Sequence, residues 1–246
     1  DDIRYDFFGL YRDISLVYYR NFQLVELSIL INQGKIDLKD IKFNKHINSI
    51  QTLIKIENSY KSHFNSLNRH LIVEAWSIFE ICLNTFCKSV LTETENQKLL
   101  STGYNDIKKI LGKTNIDDKV ENDLKEKYVS KNLTHIAITR KTDTIFKKVK
   151  GYSRNIEEDK KFLLFFGRLR NSMHSNYIYY GKSFKYKFGH SEFIFKDGEI
   201  IKWSDPFKET PKLYFYLIGN LKNIWKAVIL SISHEEIIYY PDLKQE

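Results

Sequence analysis

The residues best suited to chemistry in this chain lie near the end of residues 159–181, DKKFLLFFGRLRNSMHSNYIYYG. Arg170 and Asn171 precede His174 by four and three residues, so an α-helix presents all three side chains on one face. A guanidinium binds a phosphate anion, and an imidazole transfers protons near neutral pH. The cluster therefore predicts a site that binds and cleaves a phosphodiester.

The segment that positions this cluster is predicted to begin as an amphipathic helix. Apolar residues recur along it at helical spacing and form one stripe: Phe162, Phe166, Leu169 and Met173. After His174 the pattern changes to an extended run, Tyr177 to Tyr180, that ends at Gly181. We therefore expect the last turn of a helix with a buried back to present the cluster.

The run Arg-Leu-Arg-Asn-Ser-Met-His-Ser-Asn at 168–176 resembles the signature helix of HEPN ribonucleases, which occur in toxins and phage-defence proteins. That pattern has about four to six residues between an arginine and a histidine, often with a polar residue directly after the arginine. Arg168 has the spacing, because five residues separate it from His174, but Leu169 follows it. Arg170 has the polar neighbour Asn171, but only three residues separate it from His174.

Helical geometry favours Arg170 as the partner of His174, because Arg168 lies about 120° around the helix axis from that histidine. Arg168 remains the alternative. Residues 75–83 resemble the paired helix of HEPN domains, in which a small residue and an acidic residue often face the active helix. On that resemblance Glu80 approaches one of the two arginines, and the other interpretation is an ordinary salt bridge at a helix edge.

The resemblance implies a metal-independent endoribonuclease of the toxin or phage-defence type, with no cofactor. In such enzymes the RNA 2′-hydroxyl attacks the adjacent phosphate and leaves a 2′,3′-cyclic phosphate and a 5′-hydroxyl. His174 is then the general base or acid, Arg170 stabilises the transition state, and Asn171 orients the phosphate. The resemblance also implies a homodimer across this helix, and an antitoxin or sensor protein as a further partner.

The apolar periodicity predicts long helices over residues 5–33 and 61–91, with a weaker helical stretch over 38–60. Residues 94–155 are polar and are predicted to form short helices around Gly103, Gly112 and Gly151. After Gly181 apolar residues alternate with polar ones, and Asp197-Gly198 between two such runs predicts a β-hairpin.

The predicted fold is therefore mainly α, a HEPN-like helical bundle with a small antiparallel β-hairpin inserted near the C-terminal third. We expect a single domain. Its parts are an N-terminal helical elaboration (1–60), core helices with the motif (61–181), the hairpin (182–204) and a C-terminal helix (207–238).

The net charge of +8 and the isoelectric point near 9.2 favour an anionic partner, for which RNA is the prediction. The other interpretation of this charge is the composition that an AT-rich genome produces. Lys147, Lys148 and Lys150 precede the motif helix and are predicted either to guide RNA or to form an ordinary solvated face. Tyr177 and Tyr179 are predicted either to stack on unpaired bases or to be half-buried strand residues.

Two cysteines, Cys82 and Cys87, are predicted to be buried free thiols in a reducing, cytoplasmic compartment. The sequence has no run of about 18 apolar residues, so no membrane span is predicted. His63, His70 and Glu74 share a helix face, but the two histidines are two turns apart, and no His-x-x-x-His or Cys-x-x-Cys occurs. The sequence therefore predicts no metal site, and it has no P-loop, dinucleotide-binding or serine-hydrolase motif.

The irregular spacing of arginine and histidine keeps a second function open. A non-catalytic HEPN-like module would bind a nucleotide, a nucleic acid or a partner protein, for example as the antitoxin of a nucleotidyltransferase. A third interpretation is a basic protein that binds duplex DNA through its backbone, in which His174 has no role.

Overall fold

The structure is a computed structural model that describes residues 3–36, 59–111, 117, 119–120, 122–123, 136–204 and 212–238. The α-helices are α1 (Asp6–Asn32), α2 (Ser59–Val90), α3 (Glu93–Leu111), α4 (Ile138–Lys148), α5 (Ile156–His174) and α6 (Lys212–Leu230). Strands β1 (Phe184–Phe188), β2 (Ser191–Phe195) and β3 (Lys202–Trp203) lie between α5 and α6 in the chain. The predicted mainly α fold with a small antiparallel sheet near the C-terminal third is confirmed.

The chain divides into two compact units. The first contains Asp1–Phe8, Trp76–Leu169 and Gly219–Glu246, and the second contains Gly9–Ala75 and Arg170–Ile218. Helices α1, α2, α5 and α6 contribute residues to both units.

The core of the first unit is built on aromatic side chains around Trp225, of which only 1% is exposed. Its ring lies 5.7 Å from Phe7, 5.9 Å from Phe79 and 5.5 Å from Phe86, measured between centroids. Its indole Nε1 donates a hydrogen bond of 3.1 Å to the carbonyl oxygen of Arg4. The frequent Phe, Tyr and Trp residues of the sequence therefore fill this core, as buried aromatic rings commonly do.

Helix α5 packs closely on Trp76 of α2 within the first unit. The ring of Trp76 stacks on that of Phe166 at 5.5 Å between centroids. A Cβ atom at Gly167 would lie 2.9 Å from the same indole ring, so only a glycine allows this approach. The predicted apolar stripe of α5 is buried along its length, from Phe162 to Met173.

In the second unit, Tyr18 ties α1 to α2 and α6. Its hydroxyl donates a hydrogen bond of 2.6 Å to Oδ1 of Asn68, and its ring meets Phe215 edge-on at 5.3 Å. Phe22 and Phe64 add a second contact between α1 and α2, at 5.5 Å between centroids. Burial raises the pKa of Tyr18, so the hydroxyl remains a proton donor to Asn68.

The sheet of the second unit is antiparallel in the order β1-β2-β3. Tyr186 pairs with Phe193, and Phe193 pairs with Trp203. The predicted Asp-Gly turn joins β2 to β3, and Gly198 there has the left-handed φ of 71° that favours glycine. The extended segment after α5 forms one bridge to this region, between Ile178 and Ile200.

The structure differs from the sequence prediction in two helix lengths. The last helix ends at Leu230 rather than near residue 238, and a 3₁₀ turn, His234–Glu236, follows with Ser233 as its N-cap. Ser233 and Glu236 bond each other's backbone reciprocally, which starts the new turn and ends the predicted helical run. Helix α3 continues through position 103, where a break was predicted, because a single helical glycine costs only about 1 kcal/mol.

Two stretches that were predicted to be helical lie mostly outside the described residues. They are residues 38–60, of which only 59–60 are described, and residues 117–128 of the polar region in which short helices were predicted.

One helix segment, His63–Val90 of α2, has the length and the mean hydropathy, 1.2, of a membrane span. Of the 18-residue stretch of this segment that has this hydropathy, 61% is buried within the protein, which is typical of a core helix. No other helix of the described ranges meets the same two criteria.

Both cysteines are buried free thiols, as predicted. Burial raises the pKa of Cys82 and of Cys87 to about 12, from an ordinary value of 9.0. Alkylation requires the thiolate, so at pH 8 we expect the folded protein to react with iodoacetamide about a thousandfold more slowly than the denatured protein. Mass spectrometry of the alkylated chain measures this difference. Equal rates in buffer and in urea would contradict the burial of these thiols.

Candidate functional site

The site begins with the way helix α5 starts and ends. Asn155 caps its first turn, because its Oδ1 accepts hydrogen bonds from the backbone N–H groups of Glu157, at 3.0 Å, and Glu158, at 3.1 Å. At the other end, the backbone N–H of Tyr177 donates a hydrogen bond of 2.6 Å to the carbonyl of Ser172. Helix α5 therefore has a fixed last turn, and His174 is its last residue.

The backbone after His174 is strained. Asn176 has φ 51° and Tyr177 has φ 66°, in the left-handed region that side chains other than glycine rarely adopt. Asparagine tolerates this region, but a bulky tyrosine does not, so the surrounding contacts must hold it there. Strain of this kind clusters at functional sites, and here it directly follows the predicted catalytic histidine.

His174 is exposed and opens onto a cleft in the second unit. The cleft has a volume of about 420 Å³. It is formed by one segment of α2 and the end of α5, and its lining residues are Ser66, Leu67, Arg69, His70, Val73, Met173 and His174. A cleft of this size accommodates a nucleotide-sized ligand.

The polar groups of this cleft are one hydroxyl, Ser66, one guanidinium, Arg69, and two imidazoles, His70 and His174. In the part of the chain that the structure describes, no carboxylate forms an ion pair with Arg69. Burial raises the pKa of Tyr177, and the positive charge of Arg69 opposes that rise. The guanidinium is therefore close enough to the Tyr177 hydroxyl to interact with it electrostatically. The cleft is therefore suited to an anion, with a guanidinium to hold it and imidazoles to exchange protons with it.

Arg170 and Asn171 flank His174 on α5 but do not line the cleft. Nη1 of Arg170 donates a hydrogen bond of 3.0 Å to Oδ1 of Asn171. Nε of Arg170 is buried without a hydrogen-bond partner among the described residues, and Asn171 is exposed. Of the three predicted neighbours, Arg170 and Asn171 are thus in contact with each other, and Arg170 is turned toward Asn171 rather than into the cleft.

The other predicted catalytic residues, Arg168 and Glu80, both belong to the first unit and are partly buried. The charge of Glu80 acts on Lys141, a lysine that is only 1% exposed and donates a hydrogen bond of 2.7 Å to Oδ1 of Asn84. Burial lowers the pKa of Lys141, and Glu80 opposes that shift. This carboxylate therefore helps to keep a buried lysine charged, which is a structural role.

The basic run that precedes α5 carries less free positive charge than its sequence indicates. Lys148 pairs with Glu95 at 2.7 Å, and Lys150 pairs with Glu236 at 2.8 Å. Lys147 is exposed. Three further cations, of which the two lysines lie in α5 itself, are paired as well: Arg154 with the buried Asp159, Lys160 with Asp143, and Lys161 with Glu158. The exposed pairs among these are typical of a solvated face.

The two tyrosines that were predicted to stack on bases differ in accessibility. Tyr179 is only 5% exposed, its ring packs on Phe184 and Phe195, and its hydroxyl donates to the carbonyl of Lys182 at 2.9 Å. Its ring faces are covered, so Tyr179 is excluded as a base-stacking residue. Tyr177 is half-buried beside Trp203, at 6.0 Å between ring centroids, and is therefore more accessible than Tyr179.

Within the described ranges, no group of three or more His, Cys, Asp or Glu side chains has the arrangement of a metal site.

Sequence reasoning missed Arg69 and considered His70 only as a metal ligand. The signal that could have indicated them is the adjacent pair Arg69-His70 on a helix that is otherwise rich in apolar residues. A single sequence cannot show that residues about a hundred positions apart meet in one cleft, so the partners of His174 required the fold.

No model of a known protein family matches this chain, and no curated protein or solved structure resembles it significantly.

Proposed function

We propose that this protein is a metal-independent endoribonuclease that cleaves RNA through attack of the 2′-hydroxyl on the adjacent phosphate. The observation that supports this best is an exposed imidazole, His174, at a fixed helix end that shares a cleft with the guanidinium of Arg69. The toxin or phage-defence role rests on the HEPN resemblance of residues 168–176. RNA is the proposed partner, with a homodimer across α5 and an antitoxin or sensor protein as further proposals.

The proposed roles follow from the chemistry of each group. His174 exchanges a proton with the reacting oxygen, because imidazole is the side chain that most often serves as a general acid or base. A guanidinium stabilises the negative charge that develops on the phosphorus oxygens. We assign that role to Arg69. Arg170 is assigned to the outer edge of the site, where Asn171 orients the RNA backbone. The third interpretation, a duplex DNA binder, gives His174 no task.

One observation favours a second function. Arg170, the guanidinium that the HEPN resemblance assigns to the reaction, does not line the cleft and bonds Asn171 instead. A non-catalytic module that binds a nucleotide or a partner protein would use the same cleft as an anion site without turnover.

Cleavage of end-labelled single-stranded RNA in the presence of EDTA tests the proposal. The wild-type protein is expected to produce fragments with a 2′,3′-cyclic phosphate and a 5′-hydroxyl. His174→Gln is expected to lower the rate by about 10²–10⁴-fold, the usual range for a lost acid–base group. Arg69→Gln and Arg170→Gln, assayed in parallel, decide which guanidinium acts in the reaction.

The matched control is His190→Gln, an exposed histidine in the turn between β1 and β2. This variant is expected to cleave RNA at the wild-type rate. RNA that stays intact with the wild-type protein, or equal rates for His174→Gln and His190→Gln, would overturn the proposal. Tight binding of intact RNA or of a mononucleotide would favour the binding module.

A further inference from the structure

A second imidazole of the cleft, that of His70, has no role in the function proposed above. His70 is exposed, lies on α2 and lines the cleft together with Arg69 and His174. Cyclisation of RNA requires two proton transfers, one from the 2′-oxygen and one to the leaving 5′-oxygen. A single imidazole would have to perform both, whereas two imidazoles can perform one each.

His70 also lines a second, smaller cleft of about 250 Å³ between α1 and α2. Asp13 of α1 and Glu74 of α2 line that cleft, and Glu74 follows His70 by four residues, so the two side chains are neighbours on the helix surface. Carboxylates attract a positively charged imidazolium. His70 thus has negative groups on one side and the anion-binding cleft on the other.

The surroundings of His174 are different. The charged side chain that shares its cleft is Arg69, and the carboxylates Asp13 and Glu74 line only the cleft on the other side of His70. The titratable groups that line the two clefts together with His70 are Asp13 and Tyr18 on α1, Arg69 and Glu74 on α2, and His174 on α5. The two imidazoles therefore differ in the charged side chains around them: two carboxylates line the second cleft beside His70, whereas only the cleft with Arg69 includes His174.

We propose that His70 is the general acid of RNA cleavage and that His174 is the general base, so that both groups come from one chain. This inference rests on the proposed ribonuclease function and adds a residue to the same site. His174 accepts the proton of the 2′-hydroxyl while the 2′-oxygen forms a bond to phosphorus. The bond between phosphorus and the 5′-oxygen breaks, and the His70 imidazolium gives its proton to that oxygen. The products are a 2′,3′-cyclic phosphate and a 5′-hydroxyl.

A substrate with sulfur in place of the 5′-oxygen separates the two roles. A thiolate leaves without protonation, because a thiol is a far stronger acid than an alcohol. On ordinary RNA, His70→Gln is expected to be about 10²–10⁴-fold slower than wild type. On the sulfur-containing RNA it is expected to recover to within about threefold of wild type, whereas His174→Gln stays slow on both substrates.

His63→Gln is the matched control, because His63 is an exposed histidine two turns earlier on α2 that lines neither cleft. This variant is expected to match wild type on both RNAs. The pH profile gives a second measurement, in which His70→Gln is expected to lose the fall in rate on the alkaline side. Because His70 is exposed, its replacement is expected to leave the melting temperature within about 2 °C of wild type.

The outcomes separate this inference from the function on which it rests. If the wild-type protein cleaves neither RNA, the ribonuclease function fails. If it cleaves both and His70→Gln does so equally well, the function stands and the inference is wrong. If His70→Gln is slow on both substrates, His70 is not the general acid, and the inference is wrong as well.

Discussion

Replacement of Trp225 with alanine is expected to lower the free energy of unfolding by about 3–5 kcal/mol. The indole is almost fully buried and contacts Phe7, Phe79 and Phe86, so its removal leaves a cavity that three rings border. It also leaves the carbonyl of Arg4 without the hydrogen bond that Nε1 donates. A single domain is stable by only about 5–15 kcal/mol, so this loss is a large fraction of the total.

Urea unfolding followed by circular dichroism measures the loss. Leu230→Ala is the matched control, because Leu230 is on the same helix but is 67% exposed, and its replacement is expected to change stability by less than about 0.5 kcal/mol. Trp225→Phe keeps a ring in the core and loses the N–H donor, so an intermediate loss is expected. Equal stability of the two alanine variants would contradict the central position of Trp225.

The parts of this fold that the sequence predicted are those in which one periodicity continues for many residues. Helix α2 carries buried apolar residues from Leu71 to Val90, and α5 carries a buried stripe that ends at Met173. Local chemistry also predicted the turn at Asp197-Gly198, where the backbone requires a glycine. Each of these signals lies within one short stretch of chain.

The end of α6 was predicted less well. The apolar pattern continues beyond the helix, whereas local hydrogen bonds determine where the helix ends. Ile232 and Ile237 are buried and extend the helical spacing past residue 230. The hydroxyl of Ser231, however, bonds back to the carbonyl of Ala227 at 2.6 Å, and Ser233 starts a new turn with Glu236. A hydroxyl that bonds the preceding turn weakens helix continuation, and the sequence pattern alone does not weigh this effect.

The candidate site was predicted only on the helix that carries His174. The histidine itself follows from local spacing, since a polar cluster ends an apolar stripe. The groups that share its cleft, Arg69 and His70, lie on α2 and are separated from it by about a hundred residues. Conversely, Arg170 has the right sequence neighbours, but its guanidinium forms a hydrogen bond with Asn171. The arginine side chain is long and flexible, so its sequence position does not determine which group it contacts.

Replacement of Asp159 with alanine is expected to cost about 3 kcal/mol of unfolding free energy, the lower end of the range for a broken buried ion pair. The side chain of Asp159 is only 5% exposed. Its carboxylate accepts hydrogen bonds from the Tyr152 hydroxyl at 2.7 Å and from Nε and Nη2 of Arg154 at 2.8 Å each. Without it, a partly buried guanidinium keeps only the bond to Oδ1 of Asn220, at 2.9 Å, among these contacts.

The loss at Asp159 is compared with Asp143→Ala, because Asp143 also pairs with a cation, Lys160, but its side chain is 52% exposed. Exposed pairs contribute about 0–1 kcal/mol, so the difference between the two variants isolates the effect of burial. Asp159→Asn keeps the hydrogen-bond acceptor and loses the charge, and an intermediate stability is expected. If thermal unfolding shows equal melting temperatures for Asp159→Ala and Asp143→Ala, the bidentate pair does not anchor the first turn of α5.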